Sequence, residues 1–232
     1  QPFWAQVMMW LMLPVSVWFV LFWHEMGHVV AGLQAHFRFR FLTVGPFMWE
    51  KEAGGLRFRW NKDLNAAGGL ALLLPNNDRR LPQRFARLAA GGPLASLLLC
   101  LLAGWGWWAL ASGAALGPGL FVLRATLIFL ALVSGLITLL TAIPFHSGGF
   151  YSDGARVLRL WRGGAEARLE SLLLTLIAKA TGGTRPRDID PDLLHEGIAL
   201  AQAQQAPFEP YFHQYHYYHL LDQGKLTEAM AA

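Results

Sequence analysis

Residues 22–32 read Phe22-Trp23-His24-Glu25-Met26-Gly27-His28-Val29-Val30-Ala31-Gly32, and they close an apolar run that begins at Phe3. From Phe3 to Leu33 there is no Lys, Arg or Asp, and Glu25 is the single acid. The run exceeds the roughly 20 residues that a bilayer-crossing helix needs. A titratable side chain in hydrocarbon costs several kcal/mol, so such groups usually mark function. On an α-helix, residues i and i+4 share a face. His24 and His28 can therefore aim two imidazoles at one metal ion, while Glu25, about 100° around the helix, addresses a water beside it. The competing reading is two satisfied core histidines and a buried glutamate, which the membrane setting makes the weaker one.

The rest of the chain agrees with that setting. Its 232 residues are 54% hydrophobic and only 15% charged, well short of the roughly 25% charge of soluble domains. Mean hydropathy is +0.34. Two further segments are long and apolar enough to span, about 88–110 and 119–143, beside the first at about 3–33. Trp105, Trp107 and Trp108 gather at one end of the second, as an interfacial belt would. Residues 1–23 lack the charged start of a signal peptide, so the first segment is expected to be a retained helix. Cys100 is the only cysteine, which excludes an intramolecular disulfide.

The net charge of +4 is a topology signal and a poor one for nucleic acid, for which no binding is expected. Of the 19 Lys and Arg, ten lie in 34–87 and eight follow residue 143, leaving Arg124, which is expected to snorkel to the outer interface. The positive-inside rule then sets the N-terminus outside, with loop 34–87 and the C-terminal tail in the cytoplasm, as for a multi-pass protein of a bacterial inner membrane.

Within that loop, Phe37, Phe39 and Phe41 alternate with Arg38 and Arg40, and Leu56–Trp60 repeats the pattern after a Gly-rich turn. Two short paired strands are expected, with 37–42 as an exposed edge. The apolar stretch 64–75 is too short to span and reads as re-entrant or interfacial. The expected organisation is a core at 1–160, with the hairpin and re-entrant loop at 36–75. An amphipathic segment and linker follow at 161–190, and a cytoplasmic helical tail at 191–232. The fold class is mostly α: a polytopic membrane protein with three transmembrane helices and a soluble C-terminal helical hairpin. His213, His216 and His219 on the tail spread over about 120° of one helix; a metal site is one reading, but no acidic or Cys partner is close, and an aromatic face for packing or for a cytoplasmic partner is the stronger one.

A catalytic zinc takes three protein ligands and keeps one open position. Asp153 is the candidate third. It follows the third span on the cytoplasmic side, level with His24 and His28, and the Gly148–Gly149 pair and Gly154 allow the chain to turn there. Its other reading is a plain helix N-cap.

Taken together, these residues resemble the site-2 protease family of intramembrane zinc metalloproteases. His24-Glu25-Met26-Gly27-His28 is similar to the family's zinc motif, Ser152-Asp153-Gly154 to its Asp-Gly motif, and Gly92-Pro93-Leu94-Ala95 to its Gly-Pro segment. The loop from Phe37 to about Leu74 resembles its membrane-associated hairpin region. Coverage is about residues 5–160. The resemblance implies one Zn2+ per chain on His24, His28 and Asp153, with Glu25 as catalytic general base. The substrate would be a membrane protein or peptide in the lipid bilayer, hydrolysed within or near a transmembrane segment. It points to Gly92, Pro93 and Ser96 near the substrate, and Phe39 joins them through the expected edge strand. His146 is read as an interfacial or oxyanion-stabilising group. Ser96 stands where the family has Asn, and Thr141 precedes Pro144 where Asn is usual. The alternatives are an inactive relative that binds membrane segments without cleavage, or a membrane di-iron oxygenase.

Overall fold

The computed structural model describes residues 2–52, 54–62, 68–110, 117–147 and 150–230. Three of its helices are long and apolar enough to cross a membrane: α1 (Phe3–Gln34), α2 (Leu81–Ala109) and α3 (Pro118–Ala142). Each begins or ends within a few residues of the expected span. Their outward side chains have no protein partner to bury them; Trp10, Leu101, Trp105, Leu132 and Leu139 are all more than half exposed. Inward, small residues let the helices close. A Cβ on Gly27 would collide with the Gly91 carbonyl, and one on Gly91 with the Gly27 carbonyl. The α1–α2 crossing therefore runs through this glycine pair, a close approach of the kind small residues permit between membrane helices.

Between α1 and α2 lies a four-stranded antiparallel sheet: β1 (Phe37–Val44), β2 (Phe47–Glu52), β3 (Gly55–Trp60) and β4 (Leu70–Pro75), in the order β3-β2-β1-β4. Leu42 of β1 pairs with Trp49 on one side and Ala71 on the other. The alternating segments are strands, as their period requires, but β1 and β3 do not pair with each other, because β2 lies between them. β1 is interior, so the expected edge at 37–42 is corrected: the edges are β3 and β4. The apolar stretch read as re-entrant is a strand over Leu70–Pro75. Its beginning at 64–67 lies outside the described residues, as do the Gly148–Gly149 pair and most of the 112–118 turn. Val29, Phe37, Leu42, Val44, Leu73, Leu81 and Leu88 form the core between the sheet and the ends of α1 and α2. Arg84 closes the exit from α1, donating from Nε to the Ala35 carbonyl (2.8 Å) and from Nη2 to that of His36 (2.8 Å). A cation thus meets the carbonyl-rich helix C-terminus.

After α3 come the short strands β5 (His146–Ser147) and β6 (Phe150–Tyr151), then α4 (Asp153–Arg162) and α5 (Gly164–Thr181). The tail helices are α6 (Pro191–Ala203), α7 (Glu209–Asp222) and α8 (Leu226–Ala229). The tail hairpin packs on α5 as well: Leu169, Leu172 and Leu176 share one core with Ile189, Leu194, Ala201 and Phe212. Leu174, on the same helix, belongs to the core under the sheet. α5 therefore joins the tail to the half that holds the sheet and the long helices.

Candidate metal centre

His24 and His28 lie near the C-terminal end of α1, both buried, with ring centroids 4.9 Å apart at 84°. Asp153, at the first position of α4, meets them from the opposite side. Its Oδ2 is 3.3 Å from His24 Nε2 and 3.5 Å from His28 Nε2. One ligand atom from each residue lies within 4.8 Å of the others, the only such group among the described residues. The site thus joins residues more than 120 positions apart in the chain.

The outer nitrogens fix the rings. His28 Nδ1–H donates to the Leu88 carbonyl at 2.9 Å, since a carbonyl cannot donate, and this turns Nε2 toward Asp153. His24 Nδ1 pairs with Ser96 Oγ, also at 2.9 Å. Ser96 is fully buried, and its own carbonyl accepts from Ser134 Oγ at 2.7 Å. A hydrogen bond on the far nitrogen is how metal-ligating imidazoles are generally oriented. Asp153 is free of the capping role that competed for it. Ser152 caps α4 instead, its Oγ accepting from Ala155 N–H and donating to the Ile143 carbonyl. Burial would raise the Asp153 carboxyl; the two imidazoles beside it outweigh that and hold it well below the usual carboxylate range.

Two features test whether these residues fit a zinc ion. The donors are two imidazole Nε2 atoms and a carboxylate, a catalytic zinc set. The backbone also leaves space for them: a Cβ on Gly92 would fall 2.6 Å from His24 Nε2 and collide with His28 Nε2. The residues fit.

A cavity of about 570 Å³ opens on this group. Glu25 lines it, beside Gly69, whose Cβ would fall 2.7 Å from Glu25 Oε1. The Ala71 amide of β4 faces the Glu25 carboxylate, so the edge of β4 turned away from β1 borders the metal group. Thr141, Tyr151 and Arg156 form further wall. α5 contributes Glu170, Leu173, Leu174 and Ile177, and the tail contributes Phe208. Glu170 is buried, within 3.5 Å of Arg156 Nε and of Arg159 Nε. Burial raises its carboxyl above the usual range against the pull of both guanidiniums.

The other expected residues do not line the cavity. Gly92, Pro93 and Ser96 are buried in α2, Gly92 against both Nε2 atoms and Ser96 on His24 Nδ1. Phe39 packs against the sheet core. His146 is exposed and stacks on Tyr151 at 4.6 Å, also outside the lining. Arg156 and Glu170 were missed. The available signal was an acid inside the apolar stretch 169–177, Leu-Glu-Ser-Leu-Leu-Leu-Thr-Leu-Ile.

Comparison of the chain with protein-family models, with curated proteins and with solved structures finds no match.

Proposed function

We propose that the chain is an intramembrane zinc endopeptidase acting on a transmembrane segment of another membrane protein. The observation that carries this reading is the meeting of His24, His28 and Asp153 around one point, with Glu25 in the same cavity, at the ends of helices apolar enough to lie in a bilayer. His24, His28 and Asp153 hold zinc, which when bound supplies Lewis-acid activation of water and of a carbonyl. Glu25 takes the proton from the attacking water and returns it to the departing amine. Ser96 and the Leu88 carbonyl keep the two rings turned inward.

A transmembrane helix hides its amides in its own hydrogen bonds, so the scissile segment must be extended. The free edge of β4, bordering Glu25, receives it by strand addition. This replaces the 37–42 strand in that role, since β1 is already paired on both sides. The basic residues support a cytoplasmic site, with the N-terminus outside. The test is zinc content of the purified chain beside His28→Ala and Asp153→Ala, followed by cleavage of co-reconstituted single-span substrates with Glu25→Gln as control. One zinc lost in both ligand variants, and cleavage lost with zinc retained in Glu25→Gln, is the expected result. Full function in Glu25→Gln would leave a binding protein that does not cut.

A further inference from the structure

A second histidine pair lies on the tail, where the reading above assigns no chemistry. His195 on α6 and His216 on α7 face each other with Nε2 atoms 3.3 Å apart. Their ring centroids stand 4.9 Å apart at 83°, against 4.9 Å and 84° for His24 and His28. Two nitrogens bound tetrahedrally to zinc at about 2.0–2.1 Å lie about 3.3 Å from each other. The pair is thus already at ligand spacing.

The two rings open on a groove of about 570 Å³ lined also by His219, Gln223 and Glu228. His219 is committed to the fold. Its Nδ1–H donates to the Pro186 carbonyl at 3.0 Å, and its Nε2 accepts from the Gln223 amide at 2.8 Å. Glu228, on α8, lines the same groove, largely exposed and 3.8 Å from Lys225 Nζ, and its carboxylate is not at ligand spacing from the two rings.

We propose that His195 and His216, with solvent completing the shell, bind a divalent transition-metal ion of the imidazole-preferring kind, Zn2+ above all, and that the ion clamps α6 to α7. Hard cations such as Ca2+ and Mg2+ do not suit a two-imidazole donor set. The ion would couple tail stability to metal supply, because the ligands come from two helices that otherwise meet through a small apolar core. This site is independent of the intramembrane one.

The experiment is equilibrium dialysis of the full, tag-free chain in detergent against micromolar free Zn2+, with bound metal counted per chain. Two ions are expected in the parent, one in His195→Ala, one in Asp153→Ala and none in the double variant. His195 is exposed, so its removal leaves the helix packing intact; His216→Ala should match it, with at least tenfold weaker binding of the second ion. In Asp153→Ala, zinc should raise the melting temperature, and that rise should vanish when His195→Ala is added. An unchanged zinc count in His195→Ala would overturn the proposal, since the two rings would then share only a hydrogen bond. A parent that holds one ion, lost in Asp153→Ala, also overturns it and leaves the intramembrane centre standing. One ion lost only in His195→Ala supports the clamp and removes the metal from the intramembrane reading.

Discussion

Gly92 lies so near both imidazoles that any side chain there must displace them. Gly92→Ala is therefore expected to lower zinc affinity at least tenfold while helix content is kept, measured by competition with a chelating dye. Ser96 acts through one hydrogen bond, to His24 Nδ1. Ser96→Ala leaves the three ligands in place but frees the ring, and a loss of about 10- to 100-fold in metal affinity is expected. An unchanged affinity would show that packing alone orients His24. At this scale the sequence is informative about ligands and silent about their supports. His24 and His28 are legible because i, i+4 spacing is a local property of one helix. The Ser96 contact crosses from α1 to α2, and only the depth and rotation of that crossing, set at Gly27 and Gly91, bring it about.

Among the elements, β4 carries the sharpest consequence. The Ala71 amide faces Glu25, and β4 is an edge strand. Ala71→Pro removes it on an edge strand, where proline is tolerated. Zinc content should persist while substrate cleavage falls. In the tail, Phe212 is fully buried between α6 and α7, against Gly197. Phe212→Ala should cost about 3–5 kcal/mol in unfolding of the tail, read from denaturant midpoints. On α5, burial raises Glu170 above its ordinary 4.5. A carboxyl whose folded pKa lies above the unfolded one contributes stability fully present below about 4.5, lost as pH rises through the folded value. Melting temperature should therefore fall from pH 4.5 upward in the parent and fall less in Glu170→Gln. The strands at 37–44 and 55–60 follow from their alternation, yet their order does not, because hydrogen-bond partners are chosen by turns and by the face that finds a core.

For the whole molecule, the placement of charge makes a test of orientation possible. Cys100 is the only cysteine, so Cys100→Ala gives a background in which a single introduced cysteine reports its side of the membrane. Lys225→Cys should react with an impermeant maleimide in inverted vesicles and not in intact cells; the reverse would overturn the proposed topology. Composition, the length of three apolar runs and the spacing of His24, Glu25 and His28 were enough, by themselves, to determine three long apolar helices and a histidine pair at metal-ligand spacing within one of them. Each of those is a property of contiguous residues, set by helix geometry and by the cost of polar groups in hydrocarbon. The tertiary structure alone decided that Ser152 caps α4 and so leaves Asp153 to His24 and His28. It also decided that β4 rather than β1 borders Glu25, and that α5 brings Glu170 to the cavity wall. Those outcomes rest on contacts between residues tens of positions apart, whose free energy comes from burial and hydrogen bonding that no local pattern encodes.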